Sequence, residues 1–526
     1  MTDATPTGPL VLAVDLGTGG PKVALVARDG SILAHAVRST ELILTDDGGV
    51  EQDPAAWWST IGDAAREVPE TSGAAAAVRA VSVTAQWMGT VPVARQGHHL
   101  GNAVIWMDSR GAADVTALVG GRLAISGYEP RKLRTWLRVT GGAPSPTGKD
   151  SLGHILWLQR ARPDLYAAAD TFLEPMDYLN ARLCGRTVAS FDTISGTWVT
   201  DIRNLRSVEY VPELIDLAGI DRTKLPELVP TGSVVGEVLP EVADQLGLPP
   251  GVAVITATPD PESAAIGSGA VDDLAAHVYI GTSSWVSCHV PFKKTDILHT
   301  IASLPSGIPG RYLAACEQDS AGACLSHLVD NLLYPDDGLG PAPPPDVYEQ
   351  LNRVAASVPA GANGVIYTPW LNGERTPVDD HYVRAGFHNL GLGTNRADLV
   401  RAVFEGVAYN TRWMHTYVER FADTTFTPIR FVGGGAQSEL WAQILADVLD
   451  RPIERVAQPR LANVRGAAFA GFAALGLLAW SEVPGLVEVA SRHQPSPANR
   501  AVYDRSYAAF LSLYKRTRRT YAKLNR

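Results

Sequence analysis

Apolar residues in this chain fall into two kinds of run. Short, dense runs of aliphatic and β-branched residues occupy 10–18 (LVLAVDLGT), 22–26 (KVALV), 78–84, 252–257 and 276–290 (AHVYIGTSSWVSCHV). Their length and density predict strands, several of them buried on both faces. Longer stretches with apolar positions at helical spacing cover 151–160 and 397–416, and a third follows the glycines in 429–449 (IRFVGGGAQSELWAQILADVL). Near the C-terminus, Phe510, Leu513, Tyr514, Tyr521 and Leu524 recur at helical spacing within a basic run, which predicts a docked terminal helix with a solvated charged face. Strands and helices mixed with glycine-rich corners predict an α/β architecture in two lobes.

One design occurs twice, about half a chain apart. The first copy is an apolar strand ending in Gly17-Thr18, a small-residue turn and a second strand, with Asp15 at the mouth of the hairpin. The second copy repeats strand, Gly281-Thr282, turn and strand. A third junction joins a short strand through Gly433, Gly434 and Gly435 to an amphipathic helix. The Pro-rich insert at 336–346 (DDGLGPAPPPD) predicts a surface loop.

Composition narrows the class. A chain of 526 residues with 46% apolar content is long enough for more than one well-filled core. A net charge of -10 with interspersed signs argues against nucleic acid as the main partner. Four cysteines with no CxxC pair point to a reducing compartment. The N-terminus lacks a basic, then apolar, export pattern, and no run reaches the ~18 apolar residues of a membrane span, so a cytoplasmic location without membrane contact is expected.

Paired Gly-Thr hairpins carry the first chemical suggestion. Glycine lets backbone N–H groups approach anionic oxygens and a threonine hydroxyl adds a donor, so two such loops can grip a polyphosphate from both sides. Asp15 beside the first loop is either a turn former or a group that holds Mg²⁺ through water. The triple-glycine junction is either a tight turn or a surface for a flat base, with Ser438 on the following helix. The segment TPDPESAAIG, 258–267, has the signals of a helix start, and Asp260 is either its cap or a chemical group.

Taken together, DLGTGGPK (15–22), VIWMDSRG (104–111), TPDPESAAIGSG (258–269), YIGTSS (279–284), GERTPVDDHYVRAGF (373–387), LVRAVFEGVAYNTRWM (399–414) and FVGGGAQSELWAQILADVL (431–449) resemble the FGGY family of carbohydrate kinases, most of all its xylulokinase-like branch. The resemblance implies an actin-like, ribonuclease-H-like fold of two duplicated lobes, 1–270 and 271–526, with ATP and sugar meeting in the cleft. It implies Asp260 as catalytic base, which also touches substrate, and Asp15 as the residue that organises Mg²⁺. It implies nucleotide contacts from Thr18, Gly19, Gly20 and Lys22, from Gly281, Thr282 and Ser283, from Gly322, and from Gly434, Gly435 and Ser438. Similar kinases are often homodimers.

On the sugar side the match implies contacts from Gln86, Trp87, Met88, Asp108 and Arg110. Trp87 and Met88 stand where such kinases carry Met and His, so a directional partner for a sugar hydroxyl is replaced. The bland readings are a surface salt bridge or turn for Asp108 and Arg110, and core packing for Trp87. His154 stands where the family pattern has lysine; neither it nor Lys149 is assigned a catalytic role. Asp192 and Ser195 match a structural segment, and Glu374 and Arg375 a polar network. The leading expectation is a kinase for a primary hydroxyl of an open-chain ketose, D-xylulose first, with L-ribulose, L-xylulose or erythritol-like polyols as alternatives. The competing class is a nucleotide-binding sensor without turnover.

Overall fold

The computed structural model describes residues 8–122, 124, 127–338 and 340–525. The N-terminal tail through residue 7, Leu339 in the Pro-rich insert and Arg526 at the end of the basic run lie outside the described residues. The first sheet has six strands: β1 (Leu10–Gly17), β2 (Gly20–Ala27), β3 (Ile32–Val37), β4 (Val78–Ala85), β5 (Val234–Glu237) and β6 (Ala253–Thr256). Their order across the sheet is β5-β6-β4-β1-β2-β3. β1, β2 and β3 form an antiparallel meander, and β4 lies parallel to both β1 and β6. Both faces of β1 are covered, with Leu10, Leu12, Val14 and Leu16 in one core cluster and Val11 and Ala13 in another. That is why its sequence is a continuous apolar run rather than an alternating one.

Four helices matter to the site in this half: α1 (Pro54–Ser72), α2 (Ser151–Ala161), α3 (Pro175–Cys184) and α4 (Asp260–Ser268). The second sheet has eight strands: β7 (Ala276–Ile280), β8 (Ser284–Val290), β9 (Thr295–Asp296), β10 (Ile301–Pro305), β11 (Tyr312–Ala315), β12 (Ile429–Val432), β13 (Ile453–Val456) and β14 (Val489–His493). They run in the order β9-β10-β11-β8-β7-β12-β13-β14. Here too a hairpin, β7 with β8, lies beside a parallel strand, β12. The hairpin-plus-parallel-strand unit is therefore duplicated, as the two-lobed expectation requires.

Four helices of the second half bear on the site and its support: α5 (Arg396–Ala422), α6 (Glu439–Leu449), α7 (Ala462–Ala474) and α8 (Pro497–Leu524). α5 runs further than its apolar pattern predicts: a capping box between Asn395 and Asp398 starts it, and it continues to Ala422, where Asp423 turns into the left-handed region. α8 docks Phe510 and Tyr514 against Trp370 and Trp413, but Leu524, expected on the docked face, is 72% exposed. The helix outruns the surface beneath it.

α4 and α7 cross at backbone contact. A Cβ on Gly267 would lie 1.8 Å from the Ala462 carbonyl oxygen, and one on Gly466 would lie 1.9 Å from that of Ser263. Ser263 Oγ donates to the Asn463 carbonyl at 2.8 Å. α7 also meets the first sheet, where Ser82 Oγ donates to the Ala467 carbonyl at 2.6 Å. One core cluster accordingly mixes Val11, Ala13 and Ile255 with Val432, Val456 and Phe469. Among the described residues no helix is long and apolar enough to cross a membrane, and all four cysteines are free.

Candidate active site

The mouth of the first hairpin places Asp15 opposite Lys22 in register, and Lys22 Nζ donates to Asp15 Oδ2 at 2.8 Å. Asp15 is buried, yet its Oδ1 has no hydrogen-bond partner among the described residues. A buried carboxylate oxygen left open costs free energy unless something binds it. Mg²⁺ is commonly held by one or two carboxylates together with substrate phosphates, so this orphaned oxygen fits such an ion. Burial works against the charge on Lys22, but Asp15 and Tyr279 outweigh it and the amine's pKa ends above the ordinary lysine value. It stays cationic.

The turn between the strands is held open by glycine. Gly20 has φ +126, and a Cβ there would sit 2.3 Å from the Arg38 carbonyl oxygen, while Gly19 has open space on its side-chain face. Thr18 is committed elsewhere: its Oγ1 donates to Gln86 Oε1 at 3.0 Å and accepts from Trp106 Nε1 at 2.9 Å. The hydroxyl thus ties the first loop to the Gln86 segment. That link spans 68 residues and leaves no local sequence signal.

In the second hairpin, Gly281 N–H donates to the Ser283 carbonyl at 2.9 Å, and Gly322 N–H donates to the Gly281 carbonyl at 2.8 Å. A Cβ on Gly322 would fall 2.3 Å from that same oxygen. Gly322 is therefore needed for its close approach to the Gly281-Thr282-Ser283 loop. Tyr279 stacks on Trp285 with centroids 4.0 Å apart and lies against Gly281. Its hydroxyl shares a neighbourhood with Lys22, Asp15 and Asp260, and burial raises its pKa to about 12. Tyr279 opens the YIGTSS segment, but no sequence signal assigns its side chain a role.

At the triple-glycine junction, Gly433 has φ 90, Gly435 packs on Ile280 and Gly434 has open space on its side-chain face. Ser438 is occupied: its Oγ accepts from Trp441 N–H at 3.0 Å as the cap of α6 and donates to Asn352 Oδ1. Ser438 thus stands just before the helix, as its cap, and its hydroxyl is already engaged on both sides.

Asp260 differs from its sequence reading in one respect. It is the first residue of α4, the cap position is Pro259, and no side-chain capping bond forms. Pro261 therefore occupies the second helical position. The carboxyl is free of capping duty and half-buried. A helix N-terminus favours an ionised carboxylate, but burial, Asp15 and Glu317 push the Asp260 pKa well above the ordinary value, against the pull of Lys22. Burial first, and then charges from both halves of the chain, outweigh the local helix terminus. Glu317, which sequence reading missed, pairs with Arg375, and Arg375 also pairs with Asp319. Glu374 is buried and bonded to Asn410, so the expected polar network is present.

The Gln86 to Gly89 segment follows β4. Gln86 is engaged in a relay, accepting from Thr18 and donating to Gln52 Oε1 at 2.7 Å. Trp87 Nε1 donates to the Thr193 carbonyl at 3.0 Å. Met88 takes φ 58 and its neighbour Gly89 donates N–H to buried Glu174 at 2.9 Å. Asp108 and Arg110 form an ion pair, but a buried one rather than a surface one. Asp108 accepts from Val50 N–H and from Arg110, and Arg110 also reaches Glu51 while stacking 3.7 Å over Trp157. Lys149 faces Glu317, Asp319 and Arg375 of the other half. His154 is buried beside Thr90, and burial holds its pKa down near about 4.

Among the described residues no cluster of three or more His, Cys, Asp or Glu side chains is arranged to hold a metal ion alone. What the geometry brings together is two glycine-bearing hairpins, a lysine–aspartate pair and a second aspartate near it. Residues 10–267 match the N-terminal domain, and residues 276–475 the C-terminal domain, of the FGGY family of carbohydrate kinases. A xylulose kinase of Staphylococcus epidermidis is 28% identical over 525 residues, with 98% of each chain covered. An autoinducer-2 kinase of Klebsiella pneumoniae is 27% identical over 516 residues, covering 96% of this chain and 93% of its own. The crystal structure of xylulose kinase from Rhodospirillum rubrum superposes with a TM-score of 0.80 at 28% identity, covering 98% of this chain and all of its own. The chain belongs to the FGGY family of carbohydrate kinases, and is an ATP-dependent sugar kinase of two-lobed α/β fold.

Proposed function

We propose that this kinase transfers the γ-phosphoryl group of ATP to a primary hydroxyl of an open-chain ketose, with D-xylulose as the leading substrate and the 5-phosphate as product. The observation that carries the reading is Asp260: a carboxyl freed from capping, half-buried, and sharing its neighbourhood with the Lys22–Asp15 pair. Asp260 accepts the proton of the attacking sugar hydroxyl. Phosphoryl transfer needs only modest help from such a base, on the order of 10²- to 10⁴-fold, and relies more on positioning and charge neutralisation. Lys22 offsets charge that builds on the transferring group, and backbone N–H groups of the two hairpin loops orient the phosphates. Asp15 would hold Mg²⁺ through its free oxygen, and the ion, when bound, supplies further neutralisation of phosphate charge. The lobes divide near residue 270, and the protein works in the cytoplasm.

Two findings favour keeping a second acceptor in view. Met88 provides no directional hydrogen bond, and a 27% identical relative is an autoinducer-2 kinase. L-Ribulose, L-xylulose and erythritol-like polyols are therefore alternatives within the same chemistry. A coupled ADP-release assay across pentuloses, hexuloses and polyols tests the reading. The highest kcat/KM on D-xylulose is expected; a higher value on another acceptor reassigns the substrate, and release no faster than the sugar-free rate on all of them contradicts the kinase reading.

A further inference from the structure

The segment ending in Asp260 is held from two directions. Thr258 Oγ1 donates to Asp192 Oδ2 at 2.6 Å. The Thr258 carbonyl accepts from Thr84 Oγ1 at 2.6 Å, and Thr84 is the register partner of Asp15 on the neighbouring strand. Asp192 is itself anchored: its Oδ1 accepts from Thr193 N–H at 2.9 Å and from Ser190 Oγ, and its main-chain carbonyl accepts from Ser195 Oγ at 2.7 Å. A further hydroxyl, that of Thr231, also bonds its carboxylate. Thr84, Asp192 and Thr258 are each no more than 1% exposed. A hydroxyl-to-carboxylate bond away from water is short, directional and strong.

Only Pro259 separates Thr258 from Asp260, with φ -55 and ψ 163. Its ring fixes φ and restricts the backbone of Thr258, so a shift at Thr258 passes to Asp260 instead of being absorbed between them. The remaining side of Thr258 is closed by Gly307, where a Cβ would lie 2.8 Å from the threonine side chain. Nothing in this arrangement is required to start α4, which already has two prolines at its N-terminus. The bonds fix where the first carboxyl of the helix points.

We infer that Asp192, acting through Thr258, is a positioning residue for the base Asp260. The inference rests on the kinase reading above and assigns a role in turnover to a segment whose sequence suggests only structure. A displacement of the base by about 1 Å is enough to cost on the order of 10²-fold in rate. Ground-state binding of ATP uses other groups, and of the sugar's contacts only the one to Asp260 is disturbed.

The test uses the full-length protein and the sugar that gives the fastest wild-type ADP release. Thr258→Val keeps the shape and removes the hydroxyl, and Thr258→Ser keeps the hydroxyl. Thr258→Val is expected to lower kcat by about 10- to 100-fold while both KM values stay within about twofold. Thr258→Ser retains most of the turnover. Asp192→Asn loses kcat in the same way, and the double variant Asp192→Asn with Thr258→Val is no slower than the slower single one, because both remove the same bond. Wild-type kcat in Thr258→Val, or losses that multiply in the double variant, overturns the inference. If Asp192→Asn does not fold, the Val and Ser pair at position 258 decides alone. An active wild type with an indifferent Thr258→Val sinks this inference only, whereas a wild type inactive on every sugar overturns the kinase reading together with it.

Discussion

Asp260 sits among charges of both signs, and their balance sets the pH at which it can accept a proton. Burial, Asp15 and Glu317 raise its pKa from 3.8, and Lys22 lowers it. A base must be unprotonated, so the activity of the free enzyme should fall as pH drops through a value above the usual aspartate range. Glu317→Gln removes one of the raising charges and should move that acid limb of kcat/KM downward; a limb at the ordinary value, or one unmoved by the substitution, contradicts the account. At this scale the sequence was informative where chemistry is local. Asp15, Lys22 and Asp260 each sit at a strand end or helix start marked by Gly or Pro. It was silent where partners are distant: Ser438 is committed to Asn352 across 86 residues, and Thr258 to Asp192 across 66. No periodicity encodes such pairs.

Elements place these residues by a small number of close approaches. α4 carries Asp260 at its N-terminus and is pressed against α7 where Gly267 and Gly466 leave no room for a Cβ. Adding a methyl group to a packed contact typically costs about 1–3 kcal/mol, and here it meets backbone rather than a yielding side chain. Gly466→Ala should therefore lower the unfolding free energy in urea by at least about 1–3 kcal/mol. An unchanged midpoint would show that the helices part easily. Helix and strand positions were readable from apolar spacing, since β1, β7 and α2 lie where their runs predict. The helix pairing was not readable, because Gly267 and Gly466 look like ordinary helix glycines until the second helix is in place. The extension of α5 and the exposed end of α8 depended on a capping box and on where the underlying surface stops.

For the whole molecule, three histidines packed into the interior tie stability to pH. His154, His277 and His289 are buried, and burial lowers their pKa values from 6.5 to about 4, 3 and 4. The unfolded chain therefore binds protons that the folded one refuses. Their contribution is complete above about pH 6.5 and is lost progressively as pH falls toward the folded values. Buried carboxyls such as Glu174, Asp177, Glu262 and Glu374, whose pKa values burial raises, act in the opposite direction over the same range, so the histidine contribution is read site by site. Followed by NMR in the folded protein, the three rings should stay neutral as pH falls through 6.5, and midpoints at the ordinary value would mean that they titrate normally in the fold. The larger claim is that the cleft between the lobes is a working phosphoryl-transfer site with Asp260 as its base. Its most direct test is ADP release by Asp260→Asn beside wild type on the best acceptor, with ATP affinity measured separately by calorimetry. The account predicts unchanged ATP affinity and a kcat lower by about 10²- to 10⁴-fold. Wild-type turnover in Asp260→Asn would contradict it.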